Sequence, residues 1–213
     1  MSERQNPRIT SRKEPQQARS NDLVAAILQA AVQVLAQEGM HRFTTTRVAE
    51  RAGVSVGSVY QYFPNKAAIL FRLQRDEWQQ TSAMLCGILE DRGHPPLTRL
   101  RRLVHAFVRS ECDEAAVRVA LSDAAPLYRD APQAREVRAA GQRIFEWFLQ
   151  ETLPEASAVT RALACELIGM TLGSVGKTYS ESPRTETEIE VYAEAMADMF
   201  CAYLKGLGAV EDA

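Results

Sequence analysis

Between Thr44 and Lys66 the chain reads TTTRVAERAGVSVGSVYQYFPNK, a stretch of neutral hydrogen-bonding side chains set among apolar ones and closed by a lysine. If Val59 and Phe63 turn towards a core, Gly57, Ser58, Gln61 and Tyr62 turn away from it, with Tyr60 near the boundary. A glutamine amide can pair two-pronged with an adenine edge. Serine and tyrosine hydroxyls can reach phosphates or base edges, and a glycine lets a helix start lie close to a duplex. No arginine stands in the short segment from Val56 to Tyr62, so little direct reading of guanine is expected. Affinity is expected instead from phosphate contacts by Thr44, Thr46, Arg47, Lys66 and the amides at helix starts. Plainer roles stay open: Tyr60 as a core residue, Gln61 as solvated surface, Arg47 as half of an ion pair with Glu50. Lys66 opposes the dipole of the helix it begins, which is easier to understand if an anionic backbone lies opposite.

Elsewhere the chemistry-bearing residues do not converge. His41, His94 and His105 are the three histidines, and they form neither an HExxH pattern nor a paired metal spacing. Cys86, Cys112, Cys165 and Cys201 lie far apart with no CxxC pair, so reduced, mostly buried thiols are expected and neither a zinc site nor a disulfide framework. The run GMTLGSVGKT at 169–178 ends like a phosphate loop, but Thr171 stands where that loop needs its first glycine. No enzyme activity, metal or cofactor is expected.

The elements that would position these residues are helices. Periodicity begins near Asn21 or Asp22, runs through Leu23, Ile27, Ala31 and Val34, and ends at Gly39, with Phe43 plugging a small core. Thr44 is placed to cap a helix over TTRVAERA, Gly53 to make the exit, Ser55 to cap the next helix and Asn65 the long one after it. The first turns of that long helix are expected to close the small domain, and Trp78, Leu85 and Ile88 to join a larger one. Helical patterns then continue at 96–110, 113–122, 132–152, 155–179 and 187–206, with no convincing strand pattern, so an all-α fold is expected.

Three parts follow: a polar basic arm at 1–20, a helix-turn-helix domain at 21–66 and a larger helical domain at 67–213. The arm carries Arg4, Arg8, Arg12, Lys13 and Arg19 and could rest on phosphates or in a minor groove, or be a solvated tail without a role. The formal net charge is −2, yet residues 1–66 hold 9 Lys and Arg against 5 Asp and Glu, while the rest hold 16 against 22. That segregation suits an N-terminal unit meeting a polyanion. The first twenty residues have no apolar signal core and no apolar run reaches bilayer length, so a cytoplasmic protein without membrane contact is expected. Gly169, Gly173 and Gly176 in a helical pattern suggest close approach by another helix. With the last helix, bearing Val191, Met196, Met199, Phe200 and Tyr203, they are the candidate for a four-helix dimer interface, or else a core helix pair within one chain.

The segment AAILQAAVQVLAQEGMHRFTTTRVAERAGVSVGSVYQYFPNKAAIL, residues 25–70, resembles the N-terminal signature of the tetracycline-repressor (TetR/AcrR) family of transcriptional regulators, above all in VAERAGVS and the closing YQYFPNK. The resemblance implies that Thr46, Gly57, Ser58, Tyr60 and Tyr62 contact DNA and that Lys66 holds a phosphate. Tyr62 stands where many members have histidine, which leaves base preference open. It further implies three small helices followed by six or more, a homodimer on a palindromic or near-palindromic duplex operator, repression, and release by a small-molecule effector held between helices of the larger domain. Phe107, Phe145, Phe148 and Met170 are candidates for the apolar lining of such a site and Glu111, Glu166 and Tyr179 for polar recognition, each with core, interface or surface as its alternative. The rival readings are a helical protein-interaction module and an activator without an effector. An exposed apolar stripe over residues 56–66 would favour the module; exposed polar donors would favour DNA.

Overall fold

A computed structural model describes residues 18–124 and 132–210, with side chains for all of these except 18–19, 116, 120, 122–124 and 132–140. The basic residues Arg4, Arg8, Arg12 and Lys13 of the expected arm lie outside the described residues. The described elements are all α-helices: α1 (Ala18–Arg42), α2 (Thr45–Ala52), α3 (Val56–Tyr62), α4 (Lys66–Glu90), α5 (Pro96–Asp113), α6 (Ala115–Ala124), α7 (Pro132–Thr152), α8 (Ala158–Ser180) and α9 (Glu186–Gly206). The all-α expectation holds, and α1 begins about one turn earlier than the first periodic residues suggest. The chain forms two compact units divided at Trp78/Gln79, Ala115/Ala116 and Arg135/Glu136.

The first unit gathers α1, α2, α3, the first half of α4, and α6. Ile27, Ala31, Val34 and Leu35 of α1 meet Val48 and Ala49 of α2, Val59 of α3, Ile69 and Leu70 of α4 and Leu121 of α6 around the fully buried Phe43. The local chemistry punctuates it: Gly39 adopts φ 71°, ψ 175°, which breaks α1 before its last residues. Gly53 adopts φ 68° and its N–H reaches the Ala49 and Glu50 carbonyls, closing α2. Thr44 accepts from the Arg47 N–H at 3.2 Å, Ser55 from the Ser58 N–H at 3.0 Å and Asn65 from the Ala68 N–H at 2.9 Å, satisfying amides that have no partner inside their own helices. Trp78, expected to join the larger domain, packs instead on this first core. The unit contains α6, whose Leu121 is buried in the same core with Val117 packed against it.

The second unit packs the last turns of α4 with α5, most of α7, α8 and α9. Leu100, Val104 and Val108 of α5, Phe148 and Leu149 of α7, Ile168 of α8 and Ala197 and Leu204 of α9 are all fully buried in its core. Leu85 and Ile88 join it as expected. At its centre lies Arg99, 1% exposed, whose guanidinium donates to the Leu89 carbonyl at the end of α4 and to the Glu151 carboxylate on α7, and lies 5.5 Å over the Phe148 ring. On the opposite side of α5, Arg101, His105 and Arg109 recur every fourth residue and meet Glu186, Glu190, Glu194 and Asp198, spaced likewise on α9. Thr185 and Glu188 cap α9 reciprocally, at 2.8 and 3.3 Å.

The three glycines of α8 divide. A Cβ on Gly176 would sit 2.7 Å from Phe107 Cε1, so close helix approach there is real, whereas one on Gly169 or Gly173 would meet nothing within 4 Å. On α9, Met196 and Phe200 are buried in the chain's own core rather than presented outward, and Val191 and Met199 are exposed. Two helices, over Ser20–Arg42 and Ala158–Ser180, are long and apolar enough to cross a bilayer by length and composition, contrary to the expectation that no run reaches that length. In α1 that apolarity faces the first core, and in α8 it divides between the second core and an outer stripe.

Candidate nucleic-acid interface

The short helix α3 is held against α1 and α2 by one flank. Val59 and Phe63 are buried, as their spacing predicts, but Tyr62 is buried with them at 6% exposure, and its hydroxyl donates to Ser20 Oγ on α1 at 3.2 Å. The expectation that Tyr62 faces a groove is therefore corrected. Three residues on from Val59, it sits only about 60° around the helix from it, and Phe63 about 40° on the other side, so all three fall on one face.

The opposite flank of α3 is made by Gly57, Tyr60 and Gln61, all exposed, with spacing of three and four. Tyr60 is 41% exposed, and its phenol oxygen lies 3.2 Å from Thr45 Oγ1 at the start of α2. Ser58 is half-buried, its hydroxyl 2.8 Å from that of Ser55. Thr44, Thr46 and Lys66 are exposed around this flank. Arg47 forms an ion pair with Glu38 of α1, so its partner is not Glu50, and Arg51 donates to Gln37 at 2.8 Å. These two contacts tie α2 to α1. Two hydrogen-bond partners of the tyrosines escaped the reading of the sequence, Thr45 and Ser20; a bond spanning 15 or 42 positions leaves no periodic signal.

In the second unit the predicted effector residues separate. Phe148 is fully buried, with Phe145 stacked on it at 5.8 Å between ring centroids. Phe107 and the buried Glu111 close over Gly176. Tyr179 stacks on Tyr192 at 3.7 Å, donates to the Glu188 carbonyl at 2.9 Å and carries the Arg184 guanidinium 4.4 Å over its ring. Burial pushes the Tyr179 phenol pKa up. Met170, 64% exposed, and Glu166, also exposed, lie on the outer side of α8 and line no interior site, because Ala164, Cys165, Ile168 and Leu172 take the inner side. Open clefts of about 370 Å³ lie on either side of the tyrosine pair, one bounded by Thr187, Val191 and Ala195 and the other by Ser174, Val175 and Arg184. Cys165 and Cys201 are buried, and desolvation raises both thiols, which disfavours the reactive thiolate.

Residues 27–73 match the family model described as "Bacterial regulatory proteins, tetR family", and residues 95–207, more than half of the chain, match "Tetracyclin repressor-like, C-terminal domain". The chain belongs to the TetR family. At family level it is a DNA-binding transcription regulator of the helix-turn-helix type. It is 28% identical over 152 residues to the HTH-type transcriptional regulator BetI of Stenotrophomonas maltophilia, covering 68% of this chain and 78% of that one. With the fatty acid metabolism regulator protein of Bacillus subtilis it shares 41% identity over 54 residues, which cover 25% of this chain and 28% of that one. The solved structure of the fatty acid degradation regulator FadR from Bacillus halodurans superposes with a TM-score of 0.66 at 19% identity, over 89% of this TetR-family chain and 97% of the other, a likeness of fold.

Proposed function

We propose that this TetR-family chain is a homodimeric repressor that binds a two-fold-related duplex operator through α3 and the start of α2, and that a small-molecule effector releases it. One observation carries the reading: the outward face of α3 presents a phenol, an amide and a side-chain-free glycine, while Val59 and Tyr62 of that helix are buried and Val56 packs half-buried against the core. A protein-docking helix would present an apolar stripe there; polar donors suit base edges and phosphates. The contact set consists of Gly57, Ser58, Tyr60 and Gln61 with Thr44, Thr46 and Lys66. Arg47, engaged by Glu38, is a secondary contributor.

The dimer face in this reading is the outer side of α8 and α9. Val159, Leu163, Leu167 and Met170 recur at four, four and three residues, and all four are exposed, Val159 at 78%. Gly169 and Gly173 beside them leave room for a second helix. Such a stripe is costly to leave in water, and a two-fold contact across it gives the assembly two copies of α3, one for each half of a two-fold-related site. The effector site in this reading involves Phe107, Phe145, Phe148 and Glu111, on helices that also hold the end of α4. An effector must favour the non-binding arrangement by several kcal/mol to empty an operator. Operator binding places the protein in the cytoplasm.

The test is selection of duplex fragments from a random-sequence library by the full-length chain, with footprinting of the retained fragments at stated salt. Recovery of paired half-sites supports the reading; a chain that retains no duplex at any salt overturns it.

A further inference from the structure

Tyr60 is an exposed aromatic residue whose ring is not held by burial, yet its phenol oxygen lies within hydrogen-bond distance of Thr45 on another helix. We propose that Thr45 is a positioning residue for Tyr60, so that the two hydroxyls act as one neutral phosphate contact shared between α2 and α3. This rests on the DNA-binding reading and adds to it a residue that neither the motif nor the spacing singled out.

The three consecutive threonines at the start of α2 do different work. Thr44 Oγ1 is used as the cap, accepting from the Arg47 N–H. Thr46 points to solvent, and Thr45, half-buried between them, turns to α3. Threonine hydroxyls inside helices usually donate to the carbonyl one turn back. Thr45 is the first residue of α2 and has no preceding turn of its own helix, so its hydroxyl proton is not absorbed that way. A phenol has one proton and can both donate and accept. When Thr45 donates to Tyr60 Oη, the phenol proton is directed outward, and an anion placed there receives a hydrogen bond strengthened by the one behind it. Tyr60 lies on the same flank of α3 as Gly57 and Gln61, the flank offered to DNA. The same bond limits the ring's rotation before DNA arrives, so less freedom is lost on binding.

Because both groups are uncharged, the pair adds affinity without displacing counterions. Its loss therefore lowers binding at every salt concentration equally and leaves the slope of log affinity against log salt unaltered. A lysine contact behaves differently, since its removal lowers the slope.

The experiment uses the full-length chain and one duplex recovered by the library selection, with fluorescence anisotropy titrations at four salt concentrations. The proteins are the wild type, Thr45→Val, Thr45→Ser, Tyr60→Phe and the Thr45→Val/Tyr60→Phe double variant, with Thr45→Ala as the second hydroxyl-free form should the valine variant fail to fold. Thr45→Val and Tyr60→Phe are each expected to weaken binding about tenfold. The double variant should be within about twofold of the weaker single one, and Thr45→Ser, which keeps the hydroxyl, within about twofold of the wild type. All slopes should coincide. The proposal is overturned if the hydroxyl-free Thr45 variant binds as the wild type does, if the two losses multiply, or if serine fails to restore binding. A wild-type chain that retains no duplex overturns the DNA-binding reading and the proposal with it, an outcome distinct from the other three.

Discussion

Tyr60 and Tyr62 are two residues apart, yet one phenol meets Thr45 at the surface while the other is tied to Ser20 in the core. Their substitutions should therefore separate. Tyr62→Phe is expected to cost about 1 kcal/mol of stability, read from a urea midpoint, with operator affinity unchanged; a selective loss of binding would restore Tyr62 to the groove. Lys66→Gln is expected to weaken binding and to lower the salt slope by about 0.9, one phosphate's worth of counterion release. An unchanged slope would remove Lys66 from the phosphate contacts. Gly176 is equally exacting, because an added methyl group would press on the Phe107 ring. Gly176→Ala should destabilise by about 1–3 kcal/mol, whereas a methyl group on Gly173 meets nothing within its own chain, so Gly173→Ala should leave the protomer's fold intact and show its effect in the dimer dissociation constant.

At the scale of elements, one buried cation joins the ends of three helices, through the Leu89 carbonyl on α4, Arg99 on α5 and Glu151 on α7. The two partners are unequally buried, Arg99 at 1% and Glu151 at 32% exposure of the side chain. Glu151→Ala leaves a guanidinium inside the core without its counter-charge and should cost about 3–5 kcal/mol. Arg99→Met leaves a carboxylate that can rehydrate and a side chain that fills space, and should cost less. Urea denaturation of the two variants gives the order, and the reverse order would show that Arg99 acts chiefly through packing. The α9 start carries a pH dependence of known sign. Two hydrogen bonds from Thr185, first the backbone N–H and then the hydroxyl, hold the Glu188 carboxyl below its usual range. That contribution is complete above the unfolded-state value and is lost as pH falls through the folded one. Protection of the first-turn amides of α9, corrected for intrinsic exchange, should therefore fall at acid pH; Thr185→Val, which keeps the backbone N–H bond, should shrink that acid-dependent step, and Glu188→Gln should remove it.

For the molecule as a whole, the outer face of α8 is the largest departure from a self-contained fold. Apolar side chains spaced to pack are left exposed where the chain has no further helix to cover them among the described residues. Leu163→Glu together with Met170→Glu places charge on that stripe without touching the inner residues of α8. Sedimentation velocity should show the wild type as a dimer and the double variant as a folded monomer with weakened operator binding. A double variant that stays dimeric would move the interface elsewhere.

Much of this protein is local physics and was legible in its letters. Thr44, Ser55 and Asn65 cap because their short side chains reach free amides three residues on, and Gly39 and Gly53 break helices because their backbones adopt positive φ. The periodicity of α5 and α9 follows from burying one face, and YQYFPNK marked the helix-turn-helix by resemblance. What the chain order could not decide was which of several equivalent neighbours each side chain would choose. Glu38 rather than Glu50 faces Arg47, Trp78 joins the first core, and Met170 and Glu166 lie on the outer side of α8. Those outcomes depend on the angles at which helices cross. Such angles are set by the sum of many contacts between residues distant in sequence, so they emerge only when the whole core closes.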